Sequence, residues 1–159
     1  MSDSDYVYVV YIRASAQSVW DALTDGRSTA AFWYGRTNES GWRKGDTVIF
    51  RRPDGGIDFS GEVFEADPPH RLSHGFLHPA PGPMHDEGDT RVTYDIVEVG
   101  GGAVRLTMTH SGFVEGSIIR PGVARGWPVI LSGLKSLLET GEPLPDRLDL
   151  DHVVECDPA

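Results

Sequence analysis

The strongest constraint on this chain is an apolar stripe near its end. Between Gly126 and Gly141, GWPVILSGLKSLLETG, apolar residues stand at Trp127, Ile130, Leu131, Leu134, Leu137 and Leu138. Their spacing keeps returning to one side of a helix of about 3.6 residues per turn. Pro128 fits such a helix in its first turn, where the missing N–H has no intrahelical partner to lose. Gly141 suits the left-handed residue that closes a helix, and Pro143 blocks extension. A stripe this broad needs a large apolar partner. The strands read upstream supply one, so the expectation is a sheet gripping this helix. Function then turns on whether the interface is solid or encloses a pocket.

At 159 residues the chain is read as one domain, residues 1–141, followed by an acidic tail, residues 142–159. Nineteen glycines and eleven prolines fit a β-rich fold with many turns. A net charge of −10 without a Lys/Arg cluster argues against nucleic acid and anionic membrane as partners. The single cysteine, Cys156, cannot form an internal disulfide and is read as an incidental tail thiol. No signal-like N-terminus and no run long enough to span a bilayer is present, so a cytoplasmic setting is expected.

Tyr6–Arg13, rich in aromatic and β-branched residues, reads as a strand covered on both faces over part of its length. Ser15 is a good N-cap for a short helix with Val19, Trp20 and Leu23 inward. Ser28–Trp33 reads as a second short helix. Strands follow at Asp46–Arg52, Asp58–Ala66 and Arg71–His78, with a bulge or bend at Gly61. Residues 79–89 read as a loop. Arg91–Val99 and Ala103–Ser111 flank Gly100–Gly102 as a hairpin, and residues 112–125 read as irregular.

Alternation places Val104, Leu106, Met108 and His110 on one face, and Val92, Tyr94 and Ile96 on the matching face of the partner strand. A tight glycine turn sets Val92 opposite His110, Tyr94 opposite Met108 and Ile96 opposite Leu106. Similar pairing of the preceding strand puts Phe76 in the first of these rows and His74 in the second. His74, His78, His110 and Tyr94 then form a polar seam on an apolar face that looks at the long helix. Buried histidine and tyrosine usually carry hydrogen-bond partners within the protein. A pocket wall is the competing reading, because pockets are apolar walls with a few convergent polar groups. Acid–base chemistry by His74 or His110 beside Tyr94 is a third.

Other chemistry finds less support. No Gly-x-Ser-x-Gly is present, and Gly100–Gly102 joins two strands rather than opening a helix, which removes the phosphate-loop readings. His78, His85, Asp86, Glu87 and Asp89 crowd one loop. His74 and His78, however, lie roughly 13 Å apart on an extended strand, too far to share an ion. No metal site and no cofactor are expected.

In order along the chain stand IRASAQSVWDALTD, Phe32-Trp33, Gly45-Asp46, GEVFEADPPHRLSHGF, TRVTYDI, TMTHSGF, and Gly-Trp followed by L-x-x-L-K-x-x-L-E-x-G. This ordered set resembles the START-like (SRPBCC, birch-pollen-allergen) superfamily. Within it, the chain resembles the group similar to the C-terminal domain of the activator of the heat-shock-protein-90 ATPase. The resemblance covers about residues 6–141. It implies an α+β helix-grip fold: a strongly bent antiparallel sheet of six or seven strands around the C-terminal helix, with two short helices after the first strand. It also implies an apolar cavity between sheet and helix. By analogy Trp33, Phe50, Phe59, His74, Phe76, Tyr94, Met108, His110, Trp127, Leu131 and Leu134 are candidate lining positions.

The expected function is binding of an apolar or amphipathic small molecule in that cavity, with no catalytic residue assigned. A cyclase-, dehydratase- or hydrolase-type enzyme using the same cavity is the alternative, and a chaperone-associated interaction module is another. A homodimer is possible, because the edge of such a sheet needs cover.

Overall fold

The computed structural model describes residues 3–145 and 148. Elements follow in the order β1 (Tyr6–Ile12), α1 (Ala16–Thr24), α2 (Gly26–Phe32), β2 (Thr37–Glu39), β3 (Thr47–Arg51), β4 (Ile57–Asp67), β5 (Arg71–Phe76), α3 (Pro83–Asp86), β6 (Thr90–Gly100), β7 (Ala103–Ser111) and α4 (Ile119–Thr140). The seven strands form one sheet, β1-β7-β6-β5-β4-β3-β2, with every neighbouring pair antiparallel. This is the helix-grip architecture. The inner sheet face is the apolar one. Ile12, Val48, Phe50, Val63, Leu72, Val92, Tyr94, Ile96, Val104, Leu106 and Met108 are buried there together with Trp127, Ile130, Leu131 and Leu134 of α4.

Local chemistry sets the boundaries. Ser15 Oγ accepts from the Ser18 N–H at 3.0 Å and caps α1. Asp25 accepts from the Arg27 N–H at 2.9 Å and caps α2, which therefore begins two residues before the expected Ser28. Gly141, at φ +82°, closes α4 by donating its N–H to the Leu137 carbonyl at 2.9 Å. All three residues of the Gly100–Gly102 turn lie at positive φ, a conformation that costs glycine little.

Helix α4 starts seven residues earlier than the expected Gly126, so residues 119–125 are helical rather than irregular. Pro128 consequently sits in the helix interior, not in its first turn, and cannot donate to the Ala124 carbonyl. Distant carboxylates stabilise the early start. Asp3 accepts from the N–H groups of Gly116 and Ser117, and Glu87 accepts from the Ile118 N–H and the Ser117 hydroxyl. Negative charge at a helix N-terminus satisfies free N–H groups and complements the helix dipole.

Three further expectations are corrected. Strand β1 is covered on one face only: Val7, Val9 and Tyr11 project outward, about half exposed. The loop at 79–89 contains the short helix α3, started by Pro83. The β5–β6 register pairs His74 with Val92 and Leu72 with Tyr94, two residues away from the expected rows. A slip of two keeps every side chain on its face, so the polar seam survives. The β6–β7 rows are those expected.

Two bulges interrupt β4. Phe50 pairs with Phe59 and Arg51 with Ile57, which leaves Asp58 without a partner in β3. Val63 pairs with His74 and Glu65 with Ser73, which leaves Phe64 unpartnered in the same sense. Gly61 itself is not a bulge. It marks a close crossing: a Cβ there would lie 2.2 Å from the Gly75 carbonyl oxygen.

Candidate functional site

Of the polar seam, His110 is held in an ordered relay. The indole Nε1–H of Trp127, on α4, donates to His110 Nδ1 at 3.1 Å. With Nδ1 accepting, the neutral ring carries its proton on Nε2 and donates to Thr90 Oγ1 at 2.8 Å. Thr90 in turn donates to the Phe76 carbonyl at 3.0 Å. The relay ties the helix to β7, β6 and β5. Burial, with His74 and His78 nearby, pushes the His110 pKa down to about 3, so the ring stays neutral at ordinary pH. Both nitrogens are occupied within the protein, which disfavours His110 as an acid–base catalyst. His74 is also held neutral, chiefly by burial, and shares its Nδ1 with the Gly75 carbonyl at 2.8 Å.

Around this relay the aromatic side chains form a continuous wall. Trp33, at the C-cap of α2, swings inward to Phe50 (4.7 Å between ring centroids) and Trp127 (5.1 Å). Phe59 lies 4.3 Å from Phe50 and 3.9 Å from Phe76. Such ring pairs add about 0.5–1.5 kcal/mol each beyond simple burial. Much of the interface between sheet and helix is therefore solid. Phe50, His74, Tyr94, Met108, His110, Leu131 and Leu134 are all buried in it, away from the walls of the recess described next.

A recess of about 150 Å³ remains toward one end, between β4, β5 and the first half of α4. Four of the expected lining residues, Trp33, Phe59, Phe76 and Trp127, form its walls. The others are Tyr34, Arg36, Asp58, His78, Gly122, Val123, Gly126 and Ile130. Arg36 and Asp58 pair through Nε and Oδ2, each about a quarter exposed, at this recess. His78 Nδ1 is buried there without a hydrogen-bond partner. Burial lowers the His78 pKa, and the nearby carboxylates of Asp58 and Glu87 partly oppose that. Deeper in the core, the Tyr94 hydroxyl is likewise buried and unpartnered, and desolvation raises its pKa.

Alternation places His78 in the seam but not among the lining positions, and it gives no sign of Arg36 or Asp58. Strand alternation sets Asp58 and Phe59 on opposite faces. The bulge cancels that alternation, and a bulge re-aims a side chain in just this way. The PDGG turn nearby was visible, but nothing in it announces the extra residue.

The titratable loop groups are engaged elsewhere. His85 Nδ1 lies 2.8 Å from the His78 carbonyl, Asp89 accepts from the Phe76 N–H at 2.8 Å, and Glu87 caps α4. Among the described residues, no group of three or more His, Cys, Asp or Glu side chains is placed to hold a metal ion. Nor is any helix among them long and apolar enough to cross a membrane.

A seven-stranded antiparallel sheet closed by a long C-terminal helix, with two short helices after the first strand, defines a START-like helix-grip domain. A family model described as Activator of Hsp90 ATPase homolog 1-like protein matches residues 13–139, and the chain belongs to that family. Among solved structures, a Mesorhizobium loti protein is similar at TM-score 0.74 and 24% identity, over 85% of this chain and 96% of that one. The Aha1 dimer from Colwellia psychrerythraea is similar at TM-score 0.67 and 23% identity, over 87% and 98%. An HSP90 activator from Plasmodium falciparum is similar at TM-score 0.70 and 15% identity, over 86% and 96%. These likenesses show the fold. Comparison with curated proteins returned no match.

Proposed function

We propose that this protein binds an apolar or amphipathic small molecule whose ring enters the recess between sheet and α4. The observation that carries this reading is the buried, unpartnered His78 Nδ1 in a recess whose walls include Trp33, Phe59, Phe76 and Trp127. Buried polar atoms are nearly always satisfied, so a bound group or water is the natural partner. A cavity of about 150 Å³ accepts something the size of a benzene ring. The ligand therefore presents one ring with a hydroxyl or carbonyl to His78, and any remainder runs out past Arg36 and Asp58. The test is titration with p-cresol and with toluene, read by the fluorescence of Trp33 and Trp127. Binding of p-cresol in preference to toluene is expected, with the preference lost in His78→Phe. Equal response to both, or none, overturns the reading.

A second reading rests on the family match. A chaperone-associated module would bind Hsp90 and change its ATPase rate, as the name of the family describes. Co-purification with Hsp90 and an altered ATPase rate would favour this role. Both readings fit a cytoplasmic protein, which is the setting we propose.

A further inference from the structure

Two backbone irregularities meet at the mouth of the His78 recess. The first is the turn that follows α2. Tyr34 and Gly35 stand at φ +49° and +74°, and the Arg36 N–H donates to the Trp33 carbonyl at 2.9 Å. Two central residues at positive φ make a mirror-image turn that ordinarily takes Asn-Gly. A bulky tyrosine in the left-handed region is strained there. The second irregularity is the bulge that re-aims Asp58. Neither serves the core, because Tyr34 is about half exposed and Arg36 and Asp58 each about a quarter. Together they set an aromatic ring, a guanidinium and a carboxylate around one opening. The guanidinium carbon of Arg36 lies 5.9 Å from the centre of the Tyr34 ring.

The charges at this mouth narrow the class of ligand. Arg36 Nε donates to Asp58 Oδ2, and Nη1 donates to the Tyr34 carbonyl at 3.3 Å. A guanidinium has five N–H donors and a carboxylate about four acceptor sites, so these contacts leave part of each unused. The mouth therefore offers both signs side by side. An anionic head group reaching Arg36 also meets Asp58, and a cationic one reaching Asp58 also meets Arg36; either gains from one neighbour and loses to the other. A head group that carries both signs gains from both. Arg36, Asp58 and His78 line the same recess of about 150 Å³, so one small molecule reaches all three.

We infer that the recess takes a free aromatic α-amino acid with a ring hydroxyl, tyrosine being the simplest. The ring enters toward His78, the α-carboxylate meets Arg36 and the α-ammonium meets Asp58. This rests on the reading that a hydroxylated ring occupies the recess, and it names the group that follows the ring.

Titrations of the full chain at about pH 7.5, read by the indole N–H resonances of Trp33 and Trp127, test it with four probes. L-Tyrosine carries both charges, tyramine only the ammonium, 3-(4-hydroxyphenyl)propionate only the carboxylate, and p-cresol neither. Tyrosine is expected to bind about tenfold more tightly than p-cresol, and more tightly than either singly charged probe. Asp58→Asn should favour the propionate over tyramine by about tenfold, and Arg36→Gln should reverse that order. A merely structural role for the pair would weaken all four probes together. Both side chains stand at the surface, and either variant alone decides the sign if the other fails to fold. Binding of p-cresol without a gain for tyrosine, a singly charged probe that matches tyrosine, or variants that leave the order of the charged probes unchanged would each overturn this proposal and leave the recess reading standing. Absence of p-cresol binding overturns both.

Discussion

His110 and Tyr94 face the same interior and differ in one respect: every polar atom of the histidine is paired, and the tyrosine hydroxyl is not. Their substitutions should differ accordingly. His110→Leu strands the Trp127 N–H in the core, while the Thr90 hydroxyl keeps its bond to the Phe76 carbonyl, and is expected to cost about 1–3 kcal/mol in urea unfolding. Tyr94→Phe removes a hydroxyl that had no partner, and is expected to be neutral or stabilising by up to about 1 kcal/mol in the same assay. The two buried histidines also set an acid limit. Their pKa values are depressed in the folded state, so below the ordinary value of about 6.5 the unfolded chain binds protons that the folded chain does not. Stability is therefore greatest above that pH and falls on acidification, levelling only near the folded-state pKa of about 3 for His110. The slope is about 1.4 kcal/mol per pH unit for each histidine kept neutral. Unfolding midpoints measured between about pH 7.5 and about pH 5 will check this, and His110→Leu should flatten the profile.

At the scale of elements, the Gly61–Gly75 crossing holds β4 against β5. Gly61→Ala places a methyl within 2.2 Å of a backbone oxygen that has nowhere to move. A loss of about 1–3 kcal/mol is expected by thermal or urea unfolding, where an exposed Gly45→Ala change would report only local strain. How much of this level could be read from the sequence depends on where the determining contacts lie. The α1 cap, the glycine hairpin and the C-terminal half of α4 follow from neighbouring residues, and the structure has them as read. The first two turns of α4 do not. Pro121, Gly122, Gly126 and Pro128 argue locally against a helix, and carboxylates from Asp3 and Glu87, distant in sequence, outweigh them. Strand β2, three residues long, exists only through its pairing with β3. The seam's composition was legible by alternation because a register slip of two does not change faces. The recess was legible only in its aromatic half, since Asp58 arrives through a bulge and Arg36 through the turn that follows Trp33.

For the molecule as a whole, the sheet has two edges and α4 guards one. Lys135 Nζ donates to the Tyr11 carbonyl at 2.6 Å, Glu139 accepts from the Arg13 N–H at 2.9 Å, and Arg120 donates to the Ser4 carbonyl at 2.7 Å. Charged side chains at a strand edge discourage further strand addition. The outward face of β1 carries none of the core, so Val9→Lys should change stability by less than about 0.5 kcal/mol in urea unfolding. The same substitution at Val10, which points inward, should be strongly destabilising.

Asp58, ion-paired with Arg36 but without a register partner in β3, matters beyond its own strand. One inserted residue delivers a carboxylate to the entrance while the framework on either side keeps its register. A lineage carrying this scaffold can thus exchange the chemistry of its doorway by gaining or losing a single codon, leaving the rest of the building untouched.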